Sequence, residues 1–418
     1  MKKNFFFAAL IYCFLSSENI EAQKEIAPSI DIMLYLGRTP GKAESKTLYD
    51  NLLRKLYYEK KSDGFNKISF LNSKGDYITS KKFNMASDFY GDYANIIKDS
   101  VYGYIDKKGK QTLFKNYDFV FFYYGDIGIA KKGRKEGLID REGNIIRDFD
   151  NVFYDFFGYN HFMVTNNRKS QIITQKGKVV FSNELNYYIK SHFFTPDSLI
   201  VYQKKINEKK MNGLINLQNQ LISDKLYEEV YYVGDEEYRY YAVKNNNKWG
   251  YINKNGEEVI PLIYDKISFN INEGLIPVQK NGKWGYIDVN NNIKIPFEYD
   301  KAFAFTNKLA YVKKGKFYGC INKKNKVKID FKLENNSFPF FTDKLSVFRK
   351  NNKYGFINKK GKVIIPPKFD NVYPFVDGLA YVKIGKKIGY INKKGKFIVP
   401  LKERQMWFPS DGIIRIAE

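Results

Sequence analysis

The sequence predicts an all-β fold: a tandem array of about ten three-stranded repeats, stacked as an open solenoid behind a small α-helical N-terminal cap. Three observations predict it. A glycine-centred pentapeptide recurs along the chain at intervals of 34 to 42 residues. Each clear copy is followed by two further apolar runs set off by Lys/Asn/Gly turns. Finally, 34 Tyr and 35 Phe among 418 residues supply aromatic area for a packed core, which a disordered polymer lacks.

The pentapeptide is clearest as Trp249-Gly250-Tyr251-Ile252-Asn253, repeated as Trp284-Gly285-Tyr286-Ile287-Asp288, Tyr354-Gly355-Phe356-Ile357-Asn358 and Ile388-Gly389-Tyr390-Ile391-Asn392. Weaker copies centre on Gly103, Gly137, Gly213 and Gly319, and degenerate ones occupy 68–72 and 170–174. Alternation along a strand places Trp249 and Tyr251 on one face and Gly250 and Ile252 on the other. The central Gly lets a neighbouring backbone or ring approach closely. The repeat-core residues are therefore Trp249, Gly250, Tyr251, Trp284, Gly285, Tyr286, Tyr354, Gly355, Gly389 and Tyr390.

A turn such as Lys359-Lys360-Gly361-Lys362 comes next, with Gly able to adopt the positive φ of a tight hairpin. It leads into a second strand, Val363-Ile364-Ile365-Pro366, which Pro ends or confines to a sheet edge. An aromatic and an Asp stand three and four residues beyond Pro at Tyr264-Asp265, Tyr299-Asp300 and Phe369-Asp370, marking a fixed bend. The third run, such as Gly378-Leu379-Ala380-Tyr381-Val382, then returns through another basic turn to the next pentapeptide. One unit cannot bury both faces of its strands, so neighbours must share a core. An aromatic stripe also suits carbohydrate stacking, but its recurrence in every unit favours packing.

These residues resemble the WG-repeat (WG-containing repeat) family, named for the Trp-Gly pair present here at Trp249-Gly250 and Trp284-Gly285. The resemblance covers residues 64 to 400 and is strongest from 246 to 400. Several copies lack Trp, two lack the central Gly, and 145 to 235 is irregular. It implies a tandem β-repeat array of a bacterial, exported kind, with no catalytic residues to carry over. A closed β-propeller is the alternative fold. Repeats of about 35 residues with three strands fit it less well, because blades usually carry four strands over about 40 residues.

Residues 1–22 read as a signal peptide: Lys2 and Lys3, an apolar stretch from Phe5 to Leu15, then Ile20-Glu21-Ala22 as a cleavage site. The apolar stretch is too short to span a bilayer and no later one is longer, so no transmembrane span is expected. The expected location is periplasmic, outer-membrane-associated or extracellular. Tyr12 before Cys13 does not fit a lipoprotein signal. Cys320 would then be the one remaining thiol, without a disulfide partner. Residues 23–63 form the predicted helical cap, with Ser45 as N-cap and Leu48, Leu52, Leu56 and Tyr57 sharing a face. The array occupies 64–418, with Trp407-Phe408 and Ile413-Ile414 closing its far end.

The sequence offers little chemistry. His161 and His192 are the two histidines, 31 residues apart, which disfavours a His-based metal or triad site. Cys320 stands at the Tyr position of a repeat and reads as a small core residue. The stretch from Asp288 to Asn292 resembles the start of a calcium loop but lacks its Gly and terminal Glu. Asp265, Asp300 and Asp370 occur once per unit and read as turn formers. No catalytic residue, metal site or cofactor is predicted.

Basic residues outnumber acidic ones 70 to 45, a net charge of +25, which points to anionic partners. An AT-rich coding composition yields the same excess of Lys, Asn, Ile, Phe and Tyr. Lysines collect in equivalent turns at Lys107, Lys108, Lys323, Lys324, Lys359, Lys360, Lys393 and Lys394, and in a second set at Lys313-Lys314-Gly315-Lys316 and Lys383, Lys386 and Lys387. Aligned, such turns bind an anionic polymer or merely protect edges from aggregation. The predicted function is an exported, non-enzymatic binding or scaffold surface in the bacterial cell envelope. Its partner is an unknown protein, an anionic polymer or another copy of itself. The alternative is an envelope-polymer hydrolase with carboxylates in the irregular middle repeats.

Overall fold

The computed structural model describes residues 67–417 with short gaps, the longest at 404–412. The predicted signal peptide at 1–22, the helical cap at 23–63 and the Trp407-Phe408 pair lie outside the described residues. Two compact units are present, one formed by 1–152 with 369–418 and one by 153–368.

Every described element is a β-strand, and the strands form ten sheets. The repeat is an antiparallel meander of four strands, not three. In one sheet the order is Lys266–Ile267, Leu275–Lys280, Lys283–Asp288 and Ile293–Tyr299. The last three are the predicted apolar runs. The first is a two-residue strand directly after the Tyr264-Asp265 bend, too short to leave an alternation in the sequence. Full four-stranded sheets recur in both units.

The strand at Ile68–Asn72 pairs antiparallel with the C-terminal strand Ile413–Ala417 over five residues, from Ile68 opposite Ala417 to Asn72 opposite Ile413. Bridges from Ile68 to Phe83 and from Leu71 to Tyr77 continue this sheet on its other side. An open stack leaves its two ends unpaired. Here the end of the chain completes the sheet begun at its start, so the solenoid expectation is corrected to a β-propeller arrangement of four-stranded sheets. No helix occurs among the described residues. Ile413 and Ile414 do terminate the array, but by joining its first strand.

The glycine strand explains how sheets join. Tyr286 packs with Ile295 and Tyr299 against Ala302, Phe305, Val312 and Ile321 of the following sheet. Its neighbour Ile287 faces the other way, into a core shared with Tyr251, Ile260 and Tyr264 of the preceding sheet. Both faces of this central strand are thus buried, each against a different neighbour. In an isolated repeat each such aliphatic or aromatic side chain would lose roughly 1.5–3 kcal/mol of burial, so no repeat is complete alone. Trp249 lies at the rim instead: it is half-buried, 5.5 Å from Phe269 and 6.2 Å from Tyr231 between ring centroids.

The central Gly has a steric cause. Trp284 pairs with Tyr299 and Tyr286 with Ile295, so the last strand bulges opposite Gly285, with Pro296 inside the bulge, where no ladder N–H is required. A Cβ on Gly285 would lie 2.7 Å from the Ile295 carbonyl oxygen, and one on Gly250 2.5 Å from that of Ile260. The close approach is to the repeat's own edge strand.

Candidate binding surface

Each glycine strand ends in Asn or Asp, and this residue builds the turn that carries the predicted lysines. The Asn358 side-chain oxygen accepts hydrogen bonds from the backbone N–H groups of Lys360 at 2.9 Å and Lys362 at 3.1 Å. Its backbone N–H donates to the Lys362 carbonyl at 3.0 Å, and its carbonyl accepts from the Gly361 N–H at 2.9 Å. Asp106, Asn322 and Asn392 repeat the pattern with Lys108 and Lys110, Lys324 and Lys326, and Lys394 and Lys396. With its backbone satisfied by one short polar side chain, the turn is fixed and its lysine side chains project from it. This anchoring Asn or Asp was visible as the last letter of the pentapeptide, and its role went unrecognised there.

The same device explains the calcium-like stretch. Asp288 accepts from the backbone N–H groups of Asn290 at 3.0 Å and Asn292 at 2.8 Å. Although burial opposes it, hydrogen bonds from the Asn292 side chain and backbone, with Lys294 beside them, hold the Asp288 carboxyl well below the usual carboxylate range. It is a turn anchor. Among the described residues no group of His, Cys, Asp and Glu is arranged to hold a metal ion.

The structure divides the eight predicted lysines. Lys107, Lys108, Lys393 and Lys394 belong to one unit, and Lys323, Lys324, Lys359 and Lys360 to the other. Lys107 pairs with Asp92 at 3.7 Å, and Lys323 with Glu273 at 3.3 Å, also donating to the Glu273 carbonyl at 2.6 Å. The ammonium groups of the other six make no ion pair with described residues, and all but the half-buried Lys359 are exposed. In the second unit the turns carrying Lys324 and Lys360 belong to consecutive sheets and abut one another's framework. A Cβ on Gly361 would lie 3.5 Å from the Ile329 side chain of the preceding sheet, and Tyr299 donates its hydroxyl to Asn325 in the next turn at 2.6 Å.

The hairpin turns at the opposite end of the same sheets are mixed: Lys316, Lys386 and Lys387 are exposed with no ion pair to described residues, but three other lysines meet acids. Lys248 meets Asp265 at 2.5 Å, Lys283 meets Asp300 at 2.6 Å and Lys314 meets Glu298 at 2.9 Å. Asp300 also accepts the Gly315 N–H at 2.7 Å, and Asp370 the Gly385 N–H at 2.6 Å. The hydrogen bond from Lys283, reinforced by that from Gly315, holds the Asp300 carboxyl below its ordinary value, and Lys248 does the same for Asp265. The once-per-unit carboxylates are braces across the bend, each spent on a lysine or a backbone N–H.

Cys320 is fully buried at the tyrosine position of its repeat, and burial pushes its thiol far up, away from the thiolate a nucleophile needs. His161 lies opposite Thr174 in a strand pair. The His192 side chain and the carboxylates of Asp148, Asp150 and Asp155 in the irregular middle are outside the described side chains.

The model of the family described as WG containing repeat matches seven segments: 102–135, 213–249, 249–284, 284–316, 318–354, 354–387 and 388–416. No curated protein matches. Among solved structures, a eukaryotic initiation factor aligns at 10% identity over 76% of this chain and 98% of that one, with a TM-score of 0.45. Virginiamycin B lyase from Staphylococcus aureus aligns at 15% identity over 62% and 97%, with a TM-score of 0.26. Hsv2p from Kluyveromyces lactis aligns at 8% over 62% and 93%, with a TM-score of 0.28. At such scores the likenesses carry nothing about activity.

Proposed function

This chain belongs to the WG containing repeat family, and from that premise we propose that it is a non-enzymatic binding or scaffold module that holds an anionic polymer on its asparagine-anchored turns. The observation that carries the reading is the group of lysines left unpaired on the side-chain-anchored turns. Lys108, Lys324, Lys359, Lys360, Lys393 and Lys394 project from turns fixed by Asp106, Asn322, Asn358 and Asn392 and meet no acid among the described residues. At the opposite turns Lys248, Lys283 and Lys314 are taken up by Asp265, Asp300 and Glu298, whereas Lys316, Lys386 and Lys387 are exposed and meet no acid among the described residues. Unpaired ammonium groups on a rigid backbone are what a polyanion displaces its counterions to reach.

The reading places the protein outside the cytoplasm in the cell envelope, on the order of charge, apolar stretch and small residue across Lys2 to Ala22. A partner protein or a second copy could share the scaffold. The test is retention of the purified chain on immobilised heparin in a salt gradient. K359Q/K360Q and K393Q/K394Q, made separately and together, should elute at lower salt, and each pair reports on its own unit. Unchanged elution of the combined variant would remove the polymer reading. Hydrolysis of an envelope polymer by the purified chain would contradict the non-enzymatic one.

A further inference from the structure

Beside the free lysines stands a second feature that polymer binding does not use. The residue five places after each anchoring Asn or Asp opens the last strand of its sheet: Ile293 after Asp288, Val327 after Asn322 and Val363 after Asn358. These are large aliphatic side chains left 61%, 48% and 46% exposed in three consecutive sheets of the 153–368 unit. Ile293 lies opposite Ile287, and Val327 opposite Ile321, so the series keeps one register and one end of the sheets. Tyr77, Ile145, Val179 and Leu221 fill the same place in other repeats, also exposed, whereas Gln111 and Glu258 show that the fold accepts a polar residue there.

Lys326 and Lys328 flank Val327 and Lys362 precedes Val363, all exposed, and Lys294 follows Ile293 but is paired with Asp288 at 3.0 Å. This mixture decides the class of partner. The centre of a protein–protein interface is depleted in lysine, and a soluble glycan or nucleic acid gives a valine nothing to bury against. A bilayer surface accommodates both. Ammonium groups meet lipid phosphates, and short aliphatic side chains enter the boundary between headgroups and acyl chains.

We infer that this end of the 153–368 unit docks on an anionic lipid bilayer, with Ile293, Val327 and Val363 entering the headgroup layer and the neighbouring lysines on its phosphates. The inference rests on the polyanion reading and adds an apolar component to it. It is tested by flotation of the full chain with vesicles of phosphatidylcholine alone and of phosphatidylcholine mixed with phosphatidylglycerol, alongside heparin retention. The wild-type chain should float with the mixed vesicles only. The variant I293S/V327S/V363S, altered only at exposed positions, should keep its thermal midpoint and heparin retention yet bind the mixed vesicles at least about tenfold more weakly. Undiminished flotation of that variant overturns the inference. Heparin retention without flotation of the wild type overturns it too and leaves the polymer reading intact, whereas loss of both removes both. Self-association in sedimentation that the serine variant abolishes, without vesicle binding, assigns the row to a second copy and likewise overturns it.

Discussion

The two hairpin turns at opposite ends of one repeat are built from nearly the same letters, Lys, Asn and Gly, and they differ in what stands beside them. After the glycine strand, an Asn or Asp spends its side chain on backbone N–H groups and leaves most of the lysines unpaired, Lys107 on Asp92 and Lys323 on Glu273 being the paired ones. Before the glycine strand, Lys248 and Lys283 are met by Asp265 and Asp300 of the bend that follows that strand, and Lys314 by Glu298 from the strand before it, while Lys316, Lys386 and Lys387 meet no acid among the described residues. A count of basic residues therefore overstates the available charge, and the position of the acids decides which lysines can hold an anion.

The comparison can be broken most severely on the strand both turns share. Gly285→Val puts a branched side chain where even a Cβ would be 2.7 Å from the Ile295 carbonyl oxygen. It should cost about 3 kcal/mol, read as a lowered denaturant midpoint, with both turns displaced together. Next in size, Asn358→Ala removes the acceptor for two backbone N–H groups. It should cost about 1 kcal/mol and loosen only the lysine-bearing turn, seen as faster amide exchange at Lys360 and Lys362. Asp300→Asn breaks a half-exposed ion pair, worth less than about 1 kcal/mol. Its instructive effect is on binding: it frees Lys283 and should raise heparin retention, converting a paired end toward an unpaired one.

The two ends of the pH scale sharpen the account further. Asp265, Asp288 and Asp300 are held below their ordinary values, so their contribution is present above the unfolded carboxylate range and lost as pH falls through the lower folded values. Acid should loosen both turn sets before the cores. Tyr381, by contrast, is pushed up to about 12 by burial, and desolvation also raises Tyr264 and Tyr318. Their stabilisation is complete below the ordinary phenol value and is lost as pH rises toward the folded one. Phenolate absorbance should accordingly rise in two phases, with the second coinciding with unfolding.

Much of this was legible in the sequence because it is local. Pentapeptide alternation, the need for Gly at 250 and 285 and the edge position of Pro296 each follow from a few adjacent letters. The Lys266–Ile267 strand was missed because two residues carry no periodicity. Pairing of Ile68–Asn72 with Ile413–Ala417 was missed because it joins strands from opposite ends of the sequence, which no single repeat encodes. Of the candidate surface, the lysines were visible, whereas their division was not: it depends on which acid folds back on which turn, as Glu273 does on Lys323 across 50 residues.

The most direct measurement holds charge constant. K324Q/K359Q/K360Q removes three unpaired lysines, and K248Q/K283Q/K314Q removes three that are ion-paired, with the same change in net charge. On immobilised heparin the first variant should elute at clearly lower salt than wild type, and the second should elute close to it. Equal shifts for both would mean that bulk positive charge governs binding and that ion pairing does not decide which lysines hold the anion.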